Sequence, residues 1–277
     1  RGSTVEFWLK KDTFSSESDK QVVFDLWNNV AHGQSSYCRF RVELHPNISG
    51  NENKIVTEIM SGTAGAQYVP LNTNITISDN KWHHYALTTK NSDNKISLNL
   101  YVDGVLRSNA LTGSSISNFT GNIRGHVGSL VTNVSGTYGA KGHAKLSGSI
   151  DDLRFWRRER TKNQIGENWR TPVHGGSNTD LESGTDLTLY YKFNEGIFNS
   201  TSTNSTDRKV LDYSGRTTIG NWQGYTTNSR QSTSAYVESG VLLSEEKDPV
   251  MYSNHPDVVT LSTNLKNSGS IHDQQNN

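Results

Sequence analysis

The sequence predicts an all-β fold: a two-sheet antiparallel sandwich with one short helix after the last core strand. Three observations lead there. Short runs alternating apolar and polar residues recur through about residue 157. Clusters of Asn, Asp, Ser, Gly and Pro separate those runs, as turns between antiparallel strands require. The composition has only a 32% hydrophobic share yet includes 6 Trp, 11 Tyr and 8 Phe, which suits a thin β-core with long polar loops and argues against disorder.

The composition also excludes several classes. No apolar run approaches the roughly 20 residues of a membrane-spanning helix. With 27 basic and 27 acidic residues, the net charge of zero gives no electrostatic pointer to nucleic acid or an acidic membrane. Cys38 is the one cysteine, which rules out an internal disulfide framework and a multi-cysteine zinc site. Arg1 leads almost directly into a strand, which reads as a piece of a longer or processed polypeptide.

Taken in order, strands are expected at Val5–Lys10, Val22–Trp27, Tyr37–Leu44, Lys54–Met60, Trp82–Thr89, Lys95–Val102, Gly125–Leu130 and Leu146–Trp156. Asp103-Gly104 lies between apolar runs and predicts a tight hairpin, because both residue types tolerate positive φ. Thr161 and Gln164 have capping-box spacing, so a helix begins there; Ile165 and Trp169 share one of its faces and Pro172 ends it. That face is expected to lie against a sheet edge.

A polar stretch at 175–180 precedes a second β-rich segment with runs at Leu187–Phe193, Val210–Tyr213 and Ile219–Trp222. Leu187, Leu189, Tyr191 and Phe193 alternate as one apolar face. The expected organisation is a β-sandwich over 1–174, a β-rich segment over 175–244 folding back on the same sandwich, and a polar tail over 245–277. In the tail Val258, Leu261 and Leu265 form a helical stripe, too short to stabilise a lone helix and suited to docking on another chain or domain.

Several blocks resemble one family in order. Thr4-Val5-Glu6-Phe7-Trp8-Leu9-Lys10, Asp79-Asn80-Lys81-Trp82-His83-His84-Tyr85-Ala86 and Leu98-Asn99-Leu100-Tyr101-Val102-Asp103-Gly104 are similar to strands of laminin-G-like domains. His126-Val127-Gly128 and Leu146-Ser147-Gly148-Ser149-Ile150-Asp151-Asp152-Leu153-Arg154-Phe155-Trp156 follow at the family's order and distance. The resemblance covers about residues 4–170 and implies the concanavalin A-like jelly roll. Leu187–Gly196 and Val210–Gly215 also resemble the family, but such blocks usually precede the opening strand. No Phe-Trp strand follows Tyr236 to complete a second copy, which favours fold-back.

Glucanases share this fold, and retaining glycosidases need two carboxylates about 5 Å apart. Glu6 and Glu43 stand isolated in sequence and Asp151-Asp152 are adjacent, so no catalytic pair is expected. His83-His84 are adjacent too; one packed and one solvated histidine is the expectation, not a metal site. The resemblance implies calcium at the sandwich rim, with Asp151 the best candidate ligand because period two places it beside Leu153 and Phe155. An acid bonded to turn amides is the competing reading. Asp180, Glu182 and Asp186 form a second acidic loop without the spacing of a calcium loop. Trp27, Trp156, Trp222 and Tyr138 are aromatics able to stack on sugar, although each is more often a core residue; the ligand-binding residues stay open. The implied function is a non-catalytic, lectin-like recognition module of a larger extracellular, cell-surface or virion-surface protein. Its partners would be a glycan or surface ligand and neighbouring chains. A structural module in a filament, fibre or shell is the alternative.

Overall fold

The computed structural model describes residues 2–14, 20–46, 54–131, 141–171, 173, 186–193, 209–216 and 218–222. The first strands are β1 (Gly2–Lys10), β2 (Gln21–Trp27), β3 (Cys38–His45), β4 (Lys54–Ser61) and β5 (Ala64–Asn72). Then come β6 (Trp82–Ser92), β7 (Lys95–Val102), β8 (Val105–Thr112), β9 (Arg124–Val127), β10 (Leu130–Val131), β11 (Lys141–His143) and β12 (Ser149–Trp156). Helix α1 (Lys162–Asn168) precedes β13 (Leu187–Tyr191), β14 (Lys209–Val210) and β15 (Gly220–Asn221). Two antiparallel sheets dominate, with orders β13-β12-β1-β6-β7-β8 and β5-β4-β3-β2-β9, and β10-β11 and β14-β15 form two small pairs. Among the described residues no helix is long and apolar enough to cross a membrane.

The core forms where inward residues of the two sheets meet. Val5, Phe7 and Leu9 of β1, Leu98, Leu100 and Val102 of β7, Phe40, Val42 and Leu44 of β3, and Ile55 and Ile59 of β4 belong to one buried cluster. Phe24 meets Phe40 edge-on at 5.8 Å and stacks on Phe155 at 5.7 Å. Each such side chain contributes about 1.5–3 kcal/mol by leaving water. The jelly-roll expectation holds.

Strand β1 is buried on both faces, because Thr4, Glu6 and Trp8 are covered as fully as Val5, Phe7 and Leu9. Helix α1 supplies part of that cover. Thr161 caps it, its hydroxyl accepting the Gln164 amide while the Gln164 side chain accepts the Thr161 amide. Ile165 packs on Ala86 and Tyr101, and the Trp169 ring lies 5.4 Å from Trp8. The helix lies over the outward Ala86 of β6 and Tyr101 of β7, next to the edge strand β8. Gly104 matters twice here. With Asp103 it takes positive φ, 76° and 51°, in the β7–β8 turn, and a Cβ on it would meet Trp169 at 2.6 Å.

Strand β13 pairs antiparallel with β12 at the sheet edge. Its expected single apolar face is split. A register slip between Phe155 and Trp156 groups Leu187 with Trp156, Val173 and Tyr190, while Leu189, Tyr191 and Phe193 pack on the main core. Asp212 ties the following hairpin to β13 by accepting the amides of Tyr190, Ser214 and Thr218. The tail stripe at Val258, Leu261 and Leu265 lies outside the described residues, as do Asp180 and Glu182. Strand β5 was not among the expected strands, and β8 was expected only at Val105-Leu106.

Candidate functional site

On β3 the core takes Phe40, Val42 and Leu44, so Arg39, Arg41, Glu43 and His45 project from the opposite face of the five-stranded sheet. Cross-strand neighbours point the same way. Register therefore lines up His126, Asp25, Arg41 and Glu58 across four strands, with Trp27 beside Arg39.

These charges form a continuous ladder. Arg39 donates to both oxygens of Asp25 at 2.8 and 2.7 Å. Arg41 sits between two acids, with Nε 2.8 Å from Glu43 and Nη2 2.8 Å from Glu58. His45 closes the outer end on Glu43 at 2.8 Å, and the Tyr37 hydroxyl donates to Glu58 at 2.8 Å. The Arg39 guanidinium stacks 5.0 Å from Trp27. Asp25, Arg39, Arg41, Glu43 and Glu58 are all buried, and His45 is partly exposed. Burial alone would raise the Glu43 carboxyl, but the His45 bond and the Arg41 charge outweigh it and hold the group below the ordinary range. Burial likewise pushes the Tyr37 hydroxyl up, with the Glu58 charge adding to the effect.

Tyr68 is the exception on this face. It is 56% exposed, with its ring 5.5 Å from the Arg41 guanidinium and 5.8 Å from the Lys20 ammonium. Its φ is +50°, a conformation that bulky residues rarely adopt and that costs about 1–3 kcal/mol. A bulge is the cause. Thr57 pairs with Val69 and Ile59 with Ala66, which sets two residues, Gln67 and Tyr68, opposite the single Glu58. Gln67 hydrogen-bonds His32, whose ring packs edge-on against Tyr37 at 5.2 Å. The sequence reading missed Tyr68. Pro70, two residues on, was the available signal, because proline within an apolar run marks an edge strand.

The opposite face of the molecule carries a second cluster. Glu6 is held by Arg160 at 3.0 Å, with Arg154 at 3.8 Å and His84 at 3.9 Å. Arg154 also pairs with Asp152 at 3.5 Å and lies over the Tyr190 ring, while Arg160 lies 4.3 Å from the Trp156 ring. Burial would raise the Glu6 carboxyl, but the Arg160 and Arg154 charges and the Arg160 hydrogen bonds hold it low. Burial drives His84 down to about 4, so it is neutral at pH 7. Trp8 and Trp169 close over it. This cluster is sealed.

The remaining expected residues fall as follows. His84 is the packed histidine; its neighbour His83 is partly exposed, bonded to Asp103 at 2.7 Å and Asp79 at 3.2 Å. The Asp103 bond leads the effects that raise the His83 ring against its partial burial. Asp103 was read as a turn residue only; its carboxylate also accepts the His84 amide. Trp27 and Trp156 are buried, Trp222 is half-buried, and Tyr138 lies outside the described residues. Asp186 pairs with Arg158 at the surface.

Asp151 does not share a face with Leu153. Asp152 adopts φ +47° in a bulge opposite Phe7, so period two breaks and Asp151 pairs with Trp8 on the outward side. Its Oδ1 accepts the Asp152 amide at 2.9 Å, and the Asp152 carboxylate faces Arg154. Among the described residues no group of three or more His, Cys, Asp or Glu could hold a metal ion.

No curated protein matches the sequence. Among solved structures, a heptameric SAP-like pentraxin from Limulus polyphemus is 13% identical, with 66% of this chain and 73% of that one covered at a TM-score of 0.43. The Ruminococcus gnavus IT-sialidase CBM40 bound to α2,6-sialyllactose is 14% identical over 59% of this chain and 80% of its own, with a TM-score of 0.42. A leech intramolecular trans-sialidase is 17% identical over 68% of this chain and 26% of that one, at 0.35. A laminin G family model, described as the concanavalin A-like lectin/glucanases superfamily, matches residues 1–166, and to that superfamily this chain belongs.

Proposed function

We propose that the chain is a non-catalytic, lectin-like module that binds glycan on the outward face of the five-stranded sheet, within a larger extracellular or virion-surface protein. Superfamily membership supports the class but not the site, since fold alone does not assign function. Tyr68 carries the site: an exposed ring held at a costly backbone angle, backed by Arg41 and ringed by polar groups. Sugar rings have apolar faces that stack on aromatics and hydroxyl edges that bond to polar side chains. A sugar at Tyr68 would meet the adjacent Gln67 and the Lys20 ammonium, which lies 5.8 Å from the ring centre. Catalysis finds less support, because a general acid needs a raised carboxyl pKa and Glu43 is shifted the other way.

The test is a glycan array probed with the wild-type chain and with Tyr68→Ala. The reading expects one class of glycan signal to fall at least tenfold in the variant. Equal signals from both proteins would remove Tyr68 from recognition.

A further inference from the structure

The outer strands of the two sheets are not alike. On the five-stranded sheet β5 carries the Gln67–Tyr68 bulge and Pro70, and β9 has only 4 residues. On the six-stranded sheet β13 has 5 residues and meets Asp212 in an isolated bridge at Tyr191. Bulges, prolines and short length are the usual guards of a sheet edge. Strand β8 runs for 8 residues with no proline and no acid, and among the described residues no strand pairs with its outer side. It leaves Val105, Leu106 and Leu111 exposed by 50%, 39% and 55%.

The register of β8 on β7 assigns a face to each residue. Ser108, Ala110 and Thr112 oppose Leu100, Leu98 and Ile96 of the core and so point inward, as does Val105 opposite Val102. Asn109 and Leu111 point outward opposite Asn99 and Ser97, and Leu106 points outward opposite Tyr101. Leu106 and Leu111 share a face, although five positions apart, because Arg107 is an extra residue bulged between Leu106 and Ser108. This bulge makes the strand complementary to itself. When a second copy is laid antiparallel about Asn109, Asn109 opposes Asn109 and Ala110 opposes Ser108. With Arg107 skipped again, Leu111 opposes Leu106 and Thr112 opposes Val105. Every pair then joins residues of one face, as an antiparallel ladder requires, and no like charges stand opposite. The skipped Arg107 carbonyl already accepts the Asn74 side-chain amide at 3.1 Å. We infer that β8 is a dimer edge, through which two copies of this chain join their six-stranded sheets by antiparallel β8–β8 pairing centred on Asn109. The pairing covers Val105, Leu106 and Leu111, and it is independent of glycan binding on the other sheet.

The test sediments the full chain over a concentration series beside Leu111→Lys and the double variant Leu106→Lys/Leu111→Glu, once their melting curves are shown to agree. Wild type is expected to dimerise. Leu111→Lys should weaken the dimer about tenfold or more, because it sets an ammonium against Leu106 of the second copy. The double variant should regain the dimer in low salt, since each new cation then faces a new carboxylate. Asn109→Cys should cross-link two copies on mild oxidation, whereas Thr112→Cys, set opposite Val105, should not; the native Cys38 is buried. A wild type that stays monomeric at every concentration overturns the inference, as does a dimer that Leu111→Lys leaves unchanged. Failure of the double variant to restore pairing, or of Asn109→Cys to cross-link, overturns the register centred on Asn109.

Discussion

On the six-stranded sheet, Glu6 is clamped between arginines from β12 and the start of α1, and Trp8, Trp169, Trp156 and Tyr190 close over the group. On the five-stranded sheet, Arg41 is clamped by Glu43 and Glu58 just as closely, yet its aromatic neighbour Tyr68 stands more than half exposed. Both faces are acid–arginine networks with stacked rings. What separates them is cover. The first cluster joins segments about 150 residues apart and seals the helix to the sheet. The second draws on neighbouring strands and reaches solvent through an aromatic held in a strained conformation. Ion pairing alone therefore does not mark a site; an exposed aromatic beside it does.

The largest expected effect lies in the sealed cluster. Arg160→Ala leaves Glu6 buried without its nearest cation, and urea unfolding should register a loss of about 3–5 kcal/mol. The corresponding substitution at the rim, Lys20→Ala, should change stability by less than about 0.5 kcal/mol. Similar losses at both positions would erase the distinction between the faces.

Acid should act next, and mainly on the sealed face. The folded His84 pKa is depressed to about 4 from an ordinary 6.5, so the unfolded chain takes up the proton first. Its contribution is complete above pH 6.5 and is lost as pH falls toward 4, on the order of 3 kcal/mol. Glu6, also depressed, adds to the loss in the same direction at lower pH. His83 runs oppositely: its pKa is raised, so its latch to Asp103 is intact below pH 6.5 and loosens as pH rises through the raised value. Melting curves between pH 8 and 4 check this, and His84→Gln should flatten the decline.

These contrasts also show what the sequence could convey. Local signals were legible: Thr161 and Gln164 announced the cap, and Asp103-Gly104 announced the turn. The two clusters were not, since Glu6 and Glu43 stand alone in sequence and meet their arginines only after the strands pair. Bulges account for most of the misreadings. Period two assigns faces only in an unbroken ladder, and the extra residue at Asp152 moved Asp151 to the outward side. The bulge at Gln67 and Tyr68 hid β5 in the same way, and Gly65 and Pro70 further broke its alternation.

A smaller effect is expected at the bulge of β5. Tyr68→Gly relieves the positive φ and should raise stability by about 1 kcal/mol less what chain entropy costs, while abolishing stacking. A clear loss of stability would mean that the ring holds the fold. The smallest effect concerns Asp151. Its carboxylate is proposed to hold the Asp152 bulge, so millimolar calcium should leave the melting temperature unchanged. A calcium-dependent rise that disappears in Asp151→Asn would instead restore the rim-site expectation.

The comparison is tested most directly by crossing the two faces on one glycan array. Tyr68→Ala removes the exposed ring and Trp169→Ala removes part of the lid on the sealed cluster. The account predicts that Tyr68→Ala loses at least tenfold in signal while melting within about 2 °C of wild type. It predicts that Trp169→Ala melts about 4–8 °C lower yet keeps its signal per folded molecule. Loss of binding in Trp169→Ala with retention in Tyr68→Ala would contradict it and move recognition to the other sheet.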